Sequence, residues 1–186
     1  SNIHRLNIPY KEALALAVMC RSMTRKVTMG HFAHTQALVY AADPARVKRN
    51  RSLIRPLKDL FLDLLPQYNA AVFANGRECL SHNEHILDLL PKVRDVDLVY
   101  FDPPYCNSHA DYQSFYHLLE TYVAYWKDKA FVNGTKRYEP KRYSGFDKNT
   151  EAVKNLALMF ERAQHIPHWL ISYHYRSYND LDTLIA

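Results

Sequence analysis

The run from Asp97 to Tyr105, Asp-Leu-Val-Tyr-Phe-Asp-Pro-Pro-Tyr, constrains this chain more than any other stretch. Leu98, Val99, Tyr100 and Phe101 are apolar and β-favouring, the pattern of a short strand buried on both faces. The strand stops at Asp102-Pro103-Pro104-Tyr105. Proline has no N–H to give to a ladder and fixes φ, so two in succession force the backbone out of the sheet through a stiff turn. One carboxylate, two rigid carbonyls and an aromatic ring are thereby set at the carboxyl end of a strand. That is where open α/β sheets bind their ligands.

This group of atoms suits attack by an aromatic amine. The lone pair of an exocyclic amino group is delocalised into its ring, which makes it a weak nucleophile. A carboxylate and a backbone carbonyl that each accept one N–H favour the rehybridised, positively charged transition state. A neighbouring ring can stack on a base drawn out of its helix. On these residues the chain resembles the adenine-specific DNA amino-methyltransferases, whose catalytic Asp-Pro-Pro-Tyr follows a hydrophobic strand. Tyr112, Tyr116, His117 and Glu120 are similar to the Tyr-His-x-Leu-Glu segment that follows the motif in one branch of that family. A second, shorter resemblance is Gly30-His31-Phe32.

The resemblance implies that Asp102 and the Pro103 carbonyl accept the target amino group, that Pro104 fixes the turn and that Tyr105 stacks on the extruded base. It implies S-adenosylmethionine as methyl donor, DNA as substrate and a restriction–modification setting with a cognate endonuclease acting on the same site. The loop Asn75-Gly76-Arg77-Glu78 is similar to an Asn-Gly-Asp loop near the adenine of the donor, which makes Asn75, Arg77 and Glu78, with Asp102, the expected cofactor contacts. Here Arg77 stands where the family has its acid and Glu78 lies one place later.

Composition permits this reading. The 186 residues are 48% hydrophobic, enough for a core, and the net charge of +5 tolerates a polyanionic partner without requiring one. Cys20, Cys79 and Cys106 are widely spaced and odd in number, which does not suggest a disulfide framework and fits a reducing, cytoplasmic setting. His31 and His34, and likewise His165 and His168, lack partners at metal-site spacing, so no metal is expected. The sequence contains no apolar run of membrane-spanning length.

Along the chain, the apolar spacing predicts helices over Lys11–Met29, from Leu53 through Leu65, over Asn83–Leu90, over Phe115–Trp126 and over Lys148–Gln164, the last with Val153, Leu156, Ala157 and Phe160 inward. Buried strands are expected at Ala70–Ala74, Leu98–Phe101 and Trp169–Tyr173. Arg46, Lys48, Arg49, Arg51, Arg55 and Lys58 form a basic cluster that reads equally as a solvated face or as a phosphate contact, with Arg49 and Arg51 the candidates. A second nucleic-acid contact is expected from the basic, tyrosine-rich stretch that holds Lys141, Arg142 and Tyr143, together with Tyr112 and Tyr116 beside the motif.

The fold class is therefore α/β: a partial Rossmann-like methyltransferase sheet over residues 70–186, preceded by a helical, DNA-facing region over residues 1–69. About three strands are few for such a sheet, usually nearer six. The four glycines, at 30, 76, 134 and 145, leave no place for the glycine loop that holds the methionine part of S-adenosylmethionine in the family. The expectation is a piece, internal or C-terminal, of a longer enzyme. Two alternatives stay open: an RNA adenine methyltransferase, and a non-catalytic nucleic-acid-binding remnant of such an enzyme.

Overall fold

The computed structural model describes residues 2–27, 32, 42–104, 112–124, 130 and 143–173. The chain divides into two compact units, one of residues 1–77 and 113–140, the other of residues 78–112 and 141–186.

The second unit holds a small parallel sheet. β1 (Leu98–Phe101) pairs with β2 (His168–Ile171), Leu98 opposite His168 and Phe101 opposite Ile171. The Ser172 amide extends the ladder by donating to the Phe101 carbonyl at 2.8 Å. Parallel strands need a crossover. Here its last part is a helix, designated α6 (Asn149–Arg162). Helix α6 buries Ala152, Leu156 and Met159, spaced by four and three residues as one helical face requires. These pack with Phe101, Phe146, Leu87, Leu90, Ala163 and Ile166 into one core. Phe101 lies edge-on to Phe160 at 5.8 Å and to Trp169 at 6.0 Å, and Phe160 stacks on Trp169 at 5.6 Å. Trp169 Nε1–H is satisfied by the Ile166 carbonyl at 2.8 Å.

Several sequence expectations are corrected here. Only one face of β1 is covered: Phe101 is buried and Val99 half-buried, whereas Leu98 and Tyr100 are more than half exposed. β2 is exposed along its length rather than buried. Apolar composition permits burial on both faces, but burial needs a layer on each side, and among the described residues only the α6 side has one. In α6 itself Leu156 is inward as expected and Phe160 packs at the margin, while Val153 and Ala157 face solvent.

The stretch expected to be a strand at Ala70–Ala74 is not one. Ala70 closes a helix, and Ala71–Ala74 run unpaired, with Val72 and Phe73 largely exposed. A β-favouring run becomes a strand only where an edge is free to pair with it. The helix expected over Asn83–Leu90 is shorter: α4 is Ile86–Leu89, followed by a 3₁₀ turn at Leu90–Lys92.

The first unit is helical. Helix α1 (Pro9–Thr24) starts on a proline, whose missing N–H costs nothing at a first turn. It buries Ala15, Val18 and Ser22, and the Ser22 hydroxyl donates to the Val18 carbonyl at 2.7 Å. Against α1 packs α3 (Leu57–Ala70) through Leu60 and Leu64. The short helix α2 (Pro44–Arg49) is capped by Asp43, whose carboxylate accepts from the Ala45 and Arg46 amides. Helix α5 (Tyr112–Val123) completes the described helices of this unit, save that Tyr112 itself falls in the second. No described helix is long and apolar enough to cross a membrane.

The loop before α6 shows how the second unit is locked. Gly145 has φ +77°, a left-handed conformation, and a Cβ there would lie 2.4 Å from Asn155 Nδ2. That same amide donates to the Gly145 carbonyl at 2.9 Å. Gly145→Ala is therefore expected to destabilise the fold by about 2 kcal/mol, from left-handed strain plus the displaced Asn155 bond. Leu156→Ala is expected to cost about 3 kcal/mol as a core truncation. Urea denaturation measures both, and a Gly145→Ala variant as stable as wild type would refute this account of the loop.

Candidate active site

Asp102 follows directly on the buried Phe101, so its backbone is anchored by the core while its side chain is exposed. Pro103 is buried and Pro104 half-buried, and the turn they make departs from the sheet as the two prolines require. These residues line an open cavity of about 390 Å³. The lining comes from three places in the chain: Tyr100–Pro104 at the end of β1, Glu84–Ile86 ahead of α4, and Ser144 with Phe146 ahead of α6, closed beneath by Met159. The size lies at the low end of ligand pockets, large enough for a single planar base.

The loop ahead of α6 is preorganised. One carboxylate oxygen of Asp147 accepts from the Ser144 amide at 3.1 Å, the Gly145 amide at 3.1 Å and the Ser144 hydroxyl at 3.2 Å. The Ser144 hydroxyl oxygen in turn accepts from the Phe146 amide at 3.2 Å. The segment before α4 is fixed by His85, whose Nδ1 accepts from the Leu87 amide at 3.3 Å. Its other nitrogen must then carry the proton, and Nε2–H donates to the Ser144 carbonyl at 3.1 Å. The His85 ring stacks on Phe146, with centroids 6.3 Å apart and planes 22° apart. Glu84 forms an ion pair with Lys92, and His82 Nδ1 lies 3.7 Å from its carboxylate.

Asp102, Pro103 and Pro104 are thus gathered at one cavity; Tyr105, with Lys141 and Arg142, lies outside the described residues. Asn75, Arg77 and Glu78 are all exposed. Gly76 has φ +77°, and the Asn75 carboxamide accepts from the Arg77 amide at 3.0 Å, which makes this loop a self-contained turn. Tyr143 is exposed and lies 4.6 Å from the Lys148 ammonium, which sits over its ring.

Sequence reasoning missed Glu84, His85, Ser144 and Phe146. No periodicity marks them, since they sit in irregular segments. Ser-Gly-Phe-Asp before an amphipathic helix was the available signal, because a glycine among turn-forming residues announces a built loop.

Tyr112 and Tyr116 are four residues apart on α5 and share one helical face; Tyr112 is exposed and Tyr116 half-buried. His117 is buried, its Nδ1–H donating to the Ser114 carbonyl at 2.8 Å. The Phe32 amide donates to the Phe115 carbonyl at 2.8 Å, so Phe32 of the Gly-His-Phe stretch meets the helix of the Tyr-His-Leu-Leu-Glu stretch. Cys20 carries a thiol whose pKa is raised by burial and, secondarily, by the Glu120 charge, which makes it a poor nucleophile.

The basic cluster lines a surface concavity formed by Lys48, Arg49, Asn50, Arg51, Ser52 and Arg55. Its charges are not equivalent. Arg55 pairs with Asp63 at 2.7 Å, which raises the guanidinium pKa and holds the Asp63 carboxyl below its usual range. Arg46 lies 3.5 Å from Asp43. Lys48 and Arg51 form no ion pair among the described residues. Beneath them Lys26 donates to the Leu53 and Arg55 carbonyls at 2.8 and 2.6 Å, pinning the segment that carries Arg51.

Comparison with known proteins gives the same direction as this geometry. The chain is 31% identical over 192 aligned residues to the Type II methyltransferase M2.HphI of Haemophilus parahaemolyticus. That alignment covers all of this chain and 54% of the relative, so the chain spans about half the relative's length. No solved structure matches it. A family model, D12 class N6 adenine-specific DNA methyltransferase, matches residues 11–179. With nine-tenths of its length matched, and with Asp102-Pro103-Pro104 leaving a parallel strand at the mouth of a base-sized cavity, the chain belongs to the D12 class N6 adenine-specific DNA methyltransferase family.

Proposed function

We propose that this chain carries the catalytic turn of an enzyme that methylates the exocyclic N6 amino group of adenine in DNA, within a type II restriction–modification pair and with a cognate endonuclease as its counterpart. The observation that carries the proposal is the cavity at the end of β1, where Asp102 is exposed on a buried anchor and most of the lining is aromatic or apolar, with Glu84 and Ser144 its other polar members. The β1–α6–β2 arrangement is part of a Rossmann-like sheet in this reading.

Asp102 accepts one N–H of the target amine and the Pro103 carbonyl accepts the other. Both acceptors favour the lone pair leaving conjugation, and the charge that develops on nitrogen is met by a carboxylate already in place. The proton leaves after transfer, so no strong base is needed. Pro104 fixes the turn against recoil, and Tyr105 stacks on the base extruded from the duplex. S-adenosylmethionine supplies an electrophilic methyl group when bound; Asn75, Arg77 and Glu78 are its proposed contacts, and no step is assigned through them.

Lys48, Arg49 and Arg51 supply sequence-blind contact with phosphates, joined by Lys141, Arg142 and Tyr143, while Tyr112 and Tyr116 offer rings near the motif. The basic residues position the duplex and carry no base readout.

Asp102→Ala is expected to abolish methyl transfer to DNA in the full chain while leaving the thermal midpoint within a few degrees of wild type. Retained transfer would sink the assignment. Tyr105→Phe should be mild and Tyr105→Ala severe, because stacking needs the ring; equal losses would indicate a role for the hydroxyl.

The basic concavity is tested by the salt dependence of duplex binding. Arg51→Gln should lower the slope of log affinity against log salt by about 1, as for one lost phosphate contact. Arg55→Gln should leave that slope unchanged, because its guanidinium is already committed to Asp63. Equal slopes for the two variants and wild type would refute a phosphate role for Arg51.

A further inference from the structure

Three separate segments must hold one cavity open at a fixed width, and only one of them is set by a strand end. The Glu84–Ile86 segment and the Ser144–Phe146 loop are irregular, and they lie 59 residues apart at the point where they touch. The loop is internally rigid through Asp147 and Asn155. Internal rigidity does not fix where a loop sits relative to its neighbours; that requires a tie across the gap.

His85 is such a tie, and its chemistry suits it. A neutral imidazole with the proton on Nε2 is an acceptor on one side and a donor on the other. The Nδ1 acceptor caps the Leu87 amide at the start of α4, and the Nε2–H donor holds the Ser144 carbonyl. The ring covers buried Phe146, itself part of the core beneath the cavity. Asn or Ser at this position would cap α4 equally well but would not reach Ser144. Phe would stack but could neither cap nor donate.

We propose that His85 is a positioning residue of the methyl-transfer site, holding the Ser144–Phe146 wall in register with the Asp102–Pro103–Pro104 turn so that a flat heteroaromatic base is gripped rather than loosely admitted. This rests on the reading of Asp102 given above. His85 contacts neither a proton in flight nor the methyl group; it sets the width of the cleft in which the amine is presented, where small displacements are costly in rate.

The test compares His85→Asn and His85→Gln with wild type and with Asp102→Ala in the full chain. His85→Asn is expected to keep the Leu87 amide protected from hydrogen exchange and to leave the thermal midpoint unchanged. It should deprotect the Gly145 and Phe146 amides and lower kcat about tenfold, with KM for S-adenosylmethionine unaltered. His85→Gln, whose longer carboxamide reaches toward Ser144, should recover part of both losses.

Two results would overturn the proposal. One is kcat within twofold of wild type in His85→Asn although the loop amides are deprotected. The other is a rate loss that tracks a fall in thermal midpoint and is not recovered by glutamine. An active Asp102→Ala, by contrast, would overturn the assignment of the site while the exchange data still reported whether His85 anchors the loop.

Discussion

The second unit depends on the burial of Phe101. Its ring is fully inside the core, held edge-on by Phe160 and Trp169, and its carbonyl is bonded to the Ser172 amide. Aromatic pairs in this geometry add about 1 kcal/mol each beyond the area they bury. That anchorage has a consequence one residue later. The backbone of Asp102 cannot drift, and the prolines that follow remove the soft torsions through which a loop would normally relax. The exposed carboxylate is thus carried on a backbone anchored by the core and stiffened by two prolines, the arrangement that electrostatic stabilisation of a developing charge would need.

The remaining walls of the cavity solve the same problem differently. Ser144 to Asp147 has no strand or helix to stiffen it, so three donors converge on one Asp147 oxygen and glycine supplies the left-handed turn that brings them together. Each such bond contributes only about 1 kcal/mol net, yet together they leave the loop few alternative conformations. Arg162, at the far end of α6, donates to the Leu87 carbonyl, so the start and end of that helix both reach toward the segment around α4. The core cluster and these polar ties occupy the same few elements, which is why a single cavity can draw on three distant stretches of chain.

Much of this was legible from the sequence, and the failures have physical causes. Leu98–Phe101 reads as a strand and Asp102-Pro103-Pro104 as its abrupt end because proline acts locally, without reference to the rest of the fold. Helices α1, α3, α5 and α6 are recoverable because a 3.6-residue apolar period is likewise local. Strand pairing is not local. Ala70–Ala74 has the composition of a strand, but Ala70 ends a helix and the residues after it are exposed and form no strand; Leu98, Tyr100 and Leu170 have the composition of core and face outward. His85 and Phe146 were invisible for a related reason: their importance lies in a contact between irregular segments, and no one-dimensional pattern encodes it.

The basic cluster shows how geometry sorts residues that composition treats alike. Arg46, Arg49, Arg51 and Arg55 carry the same charge, but an Arg already paired with a carboxylate must give up that pair before it can meet a phosphate, and the two gains nearly cancel. Arg55 on Asp63 is in that position. Arg51 stands on the segment pinned by Lys26, whose pKa burial lowers and whose ammonium spends its hydrogen bonds on two backbone carbonyls. The lysine therefore serves the shape of the concavity rather than its outward charge. Net charge gives the sign of the preferred partner; the carboxylates and carbonyls beside each cation determine how many of those charges a phosphate backbone can meet.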